Sequence, residues 1–228
     1  MNNIAEQLKL AYHNITQKCL QLHILSQSVQ LIAVSKTKSV TDILAAYTAG
    51  QRHFAENYPQ ELADKQQQLS HKADIEWHFI GPLQSNKTKL VAHSAAWVHS
   101  LDRVKIAKRL AEQRPKALGK LKVLIQLNIS NENSKSGIAP ETLLEFAAQI
   151  EALPQLELKG LMAIPAPGDA EHAFAAMQQY SSQLQQQYPY AKELSMGMSA
   201  DWQIALRYGA TMIRLGTVIF GKRDTNEE

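Results

Sequence analysis

The sequence predicts one closed (β/α)8 barrel of the TIM type, an α/β fold, with an extra helix at its N-terminus. Three observations lead there. Short apolar runs alternate with helical patterns along 228 residues, giving eight of each. Such alternation implies right-handed crossovers and a parallel sheet. The run Leu31-Ile32-Ala33-Val34 is continuously apolar, as a strand buried on both faces should be. No break in the rhythm marks a linker, so residues 1–228 read as one domain, and eight repeats suggest closure.

The first helix is expected over apolar positions Ile4, Leu8, Ala11, Ile15, Cys19 and Leu22. Their three-four spacing makes one face, which puts Cys19 inside as a small core residue. After Leu31–Val34, a helix is expected over Val40–Ala49, with Thr41 and Asp42 at its start and Gly50 closing it. Further strands are expected at Arg52–Ala55, Glu76–Ile80, Trp97–Ser100, Lys122–Asn128, Leu156–Ala163, Glu193–Met196 and Met212–Leu215. Helices are expected at Pro59–Leu69, Lys87–His93, Val104–Gln113, Pro140–Ile150, Glu171–Tyr188 and Asp201–Tyr208. Arg52–Ala55 and Trp97–Ser100 are the weakest strand patterns, so an open doubly wound sheet is the alternative. The glutamine runs Gln66–Gln68 and Gln185–Gln187 read as solvated helix faces.

Composition narrows the function. Apolar residues are 45% and charged residues 20% of the chain, which is ordinary globular usage. The net charge of +3 is small and dispersed, arguing against a nucleic-acid or membrane partner. Met1 to Ile15 has no signal-peptide pattern, and the lone Cys19 fits a reducing compartment. A cytoplasmic protein is the expectation.

Polar residues gather where strands end, the face on which barrels place their sites. Lys36 follows the first strand directly in Val34-Ser35-Lys36-Thr37-Lys38. A lysine against apolar walls can act as a nucleophile toward an aldehyde. The plainer reading is a strand-end lysine turned to solvent. Glu56 and Asn57 follow the second strand, His78 lies in the third, and Asn128 ends the fifth ahead of the polar loop Ser130–Gly137. The eight histidines show no metal-ligand spacing, and no metal site is expected.

The last two strand ends carry Ser195-Met196-Gly197-Met198-Ser199-Ala200-Asp201 and Ile213-Arg214-Leu215-Gly216-Thr217. Glycines there let backbone N–H groups approach an anion, and hydroxyls add donors. Ordinary turn glycines with a serine cap are the alternative. A phosphate cradle and an aldehyde-reactive lysine on one face suggest pyridoxal 5′-phosphate. A sugar phosphate held by a Schiff-base aldolase fits the same residues.

The blocks Ala33–Lys38, Glu56-Asn57-Tyr58, Trp77–Lys87, Gly160-Leu161-Met162, Ser195–Ser199, Arg214–Thr217 and Ile219-Phe220-Gly221 together resemble the pyridoxal phosphate homeostasis protein family. The resemblance implies a barrel similar to the N-terminal domain of alanine racemase. It implies pyridoxal phosphate held as a Schiff base on Lys36, with the phosphate near Ser199, Gly216 and Thr217 and with Met198 beside them. It further implies that Asn57 lines the pocket and that Arg214 faces the pyridine nitrogen or the phosphate. The Ser130–Gly137 loop, with Lys135, resembles a segment that covers the site. Ala55 stands where the family usually has Gly, and Pro59 where it often has Val.

Two functions compete on these residues. A carrier would hold pyridoxal phosphate and pass it to apo-enzymes, as a monomer with no catalytic residue of its own. A racemase-like enzyme would need acid–base groups on both cofactor faces. In alanine racemases a tyrosine from a second, C-terminal domain serves one face. The chain ends at Glu228, so that domain is expected to be absent and the carrier is favoured. A cationic Arg214 at the pyridine nitrogen would also weaken the electron sink.

Overall fold

A computed structural model describes residues 3–130 and 136–221. Eight parallel strands close in chain order: β1 (Gln30–Val34), β2 (His53–Glu56), β3 (Glu76–Phe79), β4 (Trp97–Leu101), β5 (Leu121–Gln126), β6 (Leu156–Met162), β7 (Glu193–Ser195) and β8 (Met212–Leu215). The strand that completes the ring is β8, paired with β1 from Gln30↔Met212 to Ala33↔Leu215. The open-sheet alternative is therefore excluded. β2 begins one residue later than expected and takes in Glu56, whose side chain is fully buried.

Helix α1 (Ile4–Gln21) precedes the barrel and buries Ile4, Leu8, Ala11, Ile15 and Cys19. The crossovers use α2 (Val40–Thr48), α3 (Pro59–Gln68), α4 (Thr88–Ser94), α5 (Val104–Gln113), α6 (Leu143–Glu151), α7 (Ala170–Gln187) and α8 (Trp202–Arg207). Ser39, rather than Thr41, caps α2 in a reciprocal box with Asp42. Pro59 opens α3, where its missing N–H costs nothing. The expected helix over Pro140–Ile150 begins as a 3-10 turn at Pro140–Thr142. One further turn, α9 (Thr217–Phe220), follows β8. The sequence pattern shows only a glycine turn at Gly216-Thr217 there. Among the described residues no helix is long and apolar enough to cross a membrane.

Strand alternation sorts the core into two clusters. Leu31, Ala33, Phe54, Trp77, Phe79 and Val98 pack outward against the helices. Ile32, Ala55, Trp97, Leu124, Met162 and Met212 fill the barrel interior. Ala55 is thus a lumen-filling residue. At Gly160, φ is +148° and a Cβ would lie 1.9 Å from the Glu193 carbonyl oxygen. The close β6–β7 approach there requires glycine.

Candidate functional site

A cavity of about 210 Å3 opens at the C-terminal mouth of the barrel. Its lining includes Lys36, Asn57, Met198, Ser199, Arg214, Gly216 and Thr217, all seven residues singled out from sequence, with Val34, Ile80 and Ile164 as apolar walls. A second chamber of about 360 Å3 shares Lys36, Asn57, Ile80 and Ile164, and adds Gln126, Asn128 and Ser136 from the β5 side. Lys135 lies outside the described residues, as do Asn133 and Ser134.

Lys36 sits on a backbone held from both sides. Ser35, just before it, is fully buried and donates its hydroxyl to Glu56 Oε1 at 2.6 Å. Lys65 Nζ donates to the Ser35 carbonyl at 2.7 Å, to Glu56 Oε1 at 2.9 Å and to Glu61 Oε1 at 2.7 Å. Glu61 Oε1 in turn accepts the Thr37 N–H at 2.6 Å. Thr37 has φ +64°, a costly conformation for a β-branched residue that persists only where neighbours impose it. The sequence reading passed over Lys65, because a lysine on a polar helix gives no sign that it turns inward.

The two glycine loops after β7 and β8 are fixed to one another. Gly197, at φ +91°, accepts the Arg214 N–H at 3.1 Å. Asp201 Oδ1 accepts the Met198 N–H at 2.6 Å. Gly216 lies against β1, where a Cβ would come 3.2 Å from the Val34 carbonyl oxygen. Of the cavity's lining residues, Ser199 and Thr217 are exposed, while Arg214 is buried. Amides at the start of α9 have no intrahelical acceptor by geometry. The donor set suits an anion at the rim and an acceptor atom deeper inside.

Arg214 also heads a column of polar side chains through the lumen. Its Nη1 donates to Ser195 Oγ at 2.5 Å and its Nη2 to the Ala163 carbonyl at 3.1 Å. Burial lowers its guanidinium to about 10, with Asp201 pulling the other way. Ser195 Oγ meets His99 Nδ1 at 2.8 Å, His99 Nε2 meets His78 Nδ1 at 2.9 Å, and His78 Nε2 meets His53 Nδ1 at 3.1 Å. Burial holds His78 and His99 well below the usual imidazole range. His78 is fully buried and engaged at both ring nitrogens. His99 and Ser195 belong to the same column, and only their inward position on β4 and β7 marks them.

The family pattern described as alanine racemase, N-terminal domain, matches residues 8–224. The pyridoxal phosphate homeostasis protein of Pasteurella multocida is 52% identical over 228 residues, covering 97% of this chain and 98% of that one. The chain belongs to the pyridoxal phosphate homeostasis protein family. PipY from Synechococcus elongatus, solved with PLP bound, is similar at 39% identity and a TM-score of 0.79, covering 91% of this chain and all of that one. Alanine racemase of Clostridium difficile shares the fold at 13% identity and a TM-score of 0.71, over 97% of this chain and 58% of that one. Within the family architecture, the buried Ser35–Glu56–Lys65 group lies directly behind the strand end that carries Lys36.

That group has a pH signature. Burial pushes the Glu56 carboxyl up to about 7 from its ordinary 4.5, against the pull of Lys65 and the Ser35 hydroxyl. Its Oε2 has no hydrogen-bond partner among the described residues. The folded state therefore binds this proton more tightly than the unfolded state. The contribution is full below about pH 4.5 and is lost as pH rises through about 7. At one pKa unit per ~1.4 kcal/mol, the loss is about 3 kcal/mol at most. Urea unfolding of wild type and Glu56→Gln at pH 5 and pH 8 checks this. Wild type should lose more stability over that interval than the variant, and parallel behaviour would refute the assignment.

Proposed function

We propose that this chain binds pyridoxal 5′-phosphate at the C-terminal mouth, with Lys36 as the covalent attachment point, and serves as an intracellular carrier. The observation that carries the reading is the convergence of Lys36, Arg214 and the two hydroxyl-bearing loops on one cavity. Family membership and the PLP-bound relative PipY support it. Bound pyridoxal phosphate would supply an aldehyde reactive toward primary amines. The apolar walls Val34, Ile80 and Ile164 suit an aromatic ring. Ser199, Thr217 and the amides around Gly216 would hold the phosphate, with Met198 and Asn57 flanking the ring. Arg214 is a donor only, so a ring nitrogen facing it must accept and stays unprotonated. A neutral hydrogen bond to a charged group contributes about 1.5–3 kcal/mol when it is buried, as the bound phosphate would bury these two hydroxyls. Ser199→Ala combined with Thr217→Ala should weaken pyridoxal phosphate binding well over tenfold and leave unphosphorylated pyridoxal almost unaffected. Equal losses for both ligands, measured by equilibrium dialysis, would remove the phosphate role.

The carrier reading is preferred over a racemase-like one on the pocket's chemistry. Lys36 and Arg214 are the ionisable side chains among the described residues that line either chamber. Proton exchange at a substrate carbon on both faces needs a second group that can give and take a proton near neutral pH. A buried arginine at about 10 serves that role poorly. The chain is then expected to work as a monomer in the cytoplasm, passing the cofactor to apo-enzymes. Deuterium exchange into a panel of amino acids tests it. The expected result is trace α-proton washout, together with transfer to an apo-enzyme faster than passive release allows. Rapid washout that disappears in Lys36→Ala would replace the carrier with the racemase-like reading.

A further inference from the structure

The opposite, N-terminal mouth of the barrel holds its own cavity, of about 480 Å3. Its lining includes His53, Glu76, His78, Trp97 and Lys122. Glu76 and His78 are two apart on β3 and so share the inward face, and His53 is the register partner of Glu76 on β2. Ligand atoms of His53, Glu76 and His78 all lie within 4.8 Å of one another. We propose that these three side chains form a divalent transition-metal site of the zinc class, with its fourth position open to the cavity. The sequence reading saw no metal site because the ligands come from two strands at a spacing of two, unlike helical pairs.

The geometry fits that chemistry in three respects. His53 Nδ1 and His78 Nε2 stand 3.1 Å apart, near the roughly 3.4 Å separating two nitrogen ligands about 2.1 Å from a tetrahedral centre. The other nitrogen of His78 is already held by His99 at 2.9 Å, the outer hydrogen bond that orients a metal-bound imidazole. Trp97 Nε1 fixes Glu76 Oε2 at 2.7 Å, as outer donors fix a ligating carboxylate. Two imidazoles and one carboxylate suit zinc better than calcium or magnesium, which prefer oxygen ligands. Lys122 Nζ lies 3.4 Å from Glu76 Oε2 with its side chain 34% exposed. It competes for the carboxylate and can move to solvent when a cation enters.

Occupation would also set the polarity of the lumen column. A metal on His78 Nε2 obliges its proton onto Nδ1, which then donates to His99 Nε2. His99 in turn carries its proton on Nδ1 toward Ser195 Oγ, the atom that also accepts from Arg214. This site is independent of the cofactor reading and can be tested on the full chain in either cofactor state. Zinc is titrated in competition with a chromophoric chelator, and imidazole nitrogens are followed by 15N NMR. Saturation at one zinc per chain is expected, with His53 Nδ1 and His78 Nε2 shifted. His53→Ala and Glu76→Gln should each weaken binding at least tenfold, while His13→Ala, on the exposed face of α1, leaves it unchanged. Lys122→Ala should tighten it, a direction that misfolding would not produce. Failure to saturate, equal affinity in wild type and both ligand variants, or shifts confined to other histidines would overturn the proposal.

Discussion

The ladder between β1 and β8 is the interaction on which the C-terminal site depends. It joins residues about 180 positions apart in sequence, Gln30 with Met212 through Ala33 with Leu215. Lys36 leaves one side of this seam, and Arg214, Gly216 and Thr217 leave the other. Gly216 lets the two strand ends approach, since any side chain there would press on the Val34 carbonyl. Non-local pairing of this kind is costly in loop-closure entropy. The outer layer of α1 and the crossover helices supplies the burial that offsets it. Without closure, the lysine and the cradle loops would sit at opposite edges of an open sheet.

Behind this seam, two polar systems keep the site rigid. The Ser35–Glu56–Lys65 group ties the end of β1 to β2 and α3 on the outside of the barrel. The Arg214–Ser195–His99–His78–His53 column ties β8 to β7, β4, β3 and β2 through the inside. A buried guanidinium is expensive unless its donors are engaged, and here a hydroxyl and a carbonyl engage two of them. A lumen filled only with aliphatic side chains would pack as well but could not hold that cation. The polar column and the arginine that lines the C-terminal cavity are thus parts of one arrangement.

Much of this was legible in the sequence. The continuous run Leu31–Val34 and the repeating rhythm lead to the barrel, strand-end position brings Lys36, Ser199 and Thr217 to one mouth, and the family resemblance adds Asn57 and Arg214. What escaped had no local signature. Lys65 pairs with Glu56 across two elements, and its inward turn follows from packing rather than from the polar pattern around it. His53, Glu76 and His78 meet only through the β2–β3 register. The turn α9 is four residues long and begins inside what reads as a glycine loop. The boundary of β2 differs by one residue because Glu56, polar in sequence, continues the strand as Phe79's register partner.

Attachment of pyridoxal phosphate to Lys36 is the proposal on which the chemistry of the C-terminal mouth turns. Its most direct test is borohydride reduction of the cofactor-loaded protein followed by peptide mass mapping. A phosphopyridoxyl group on the peptide containing Lys36, absent in Lys36→Ala, is the result this account predicts. A group that maps wholly to Lys38 or another lysine, or one that persists at full yield in Lys36→Ala, would contradict it.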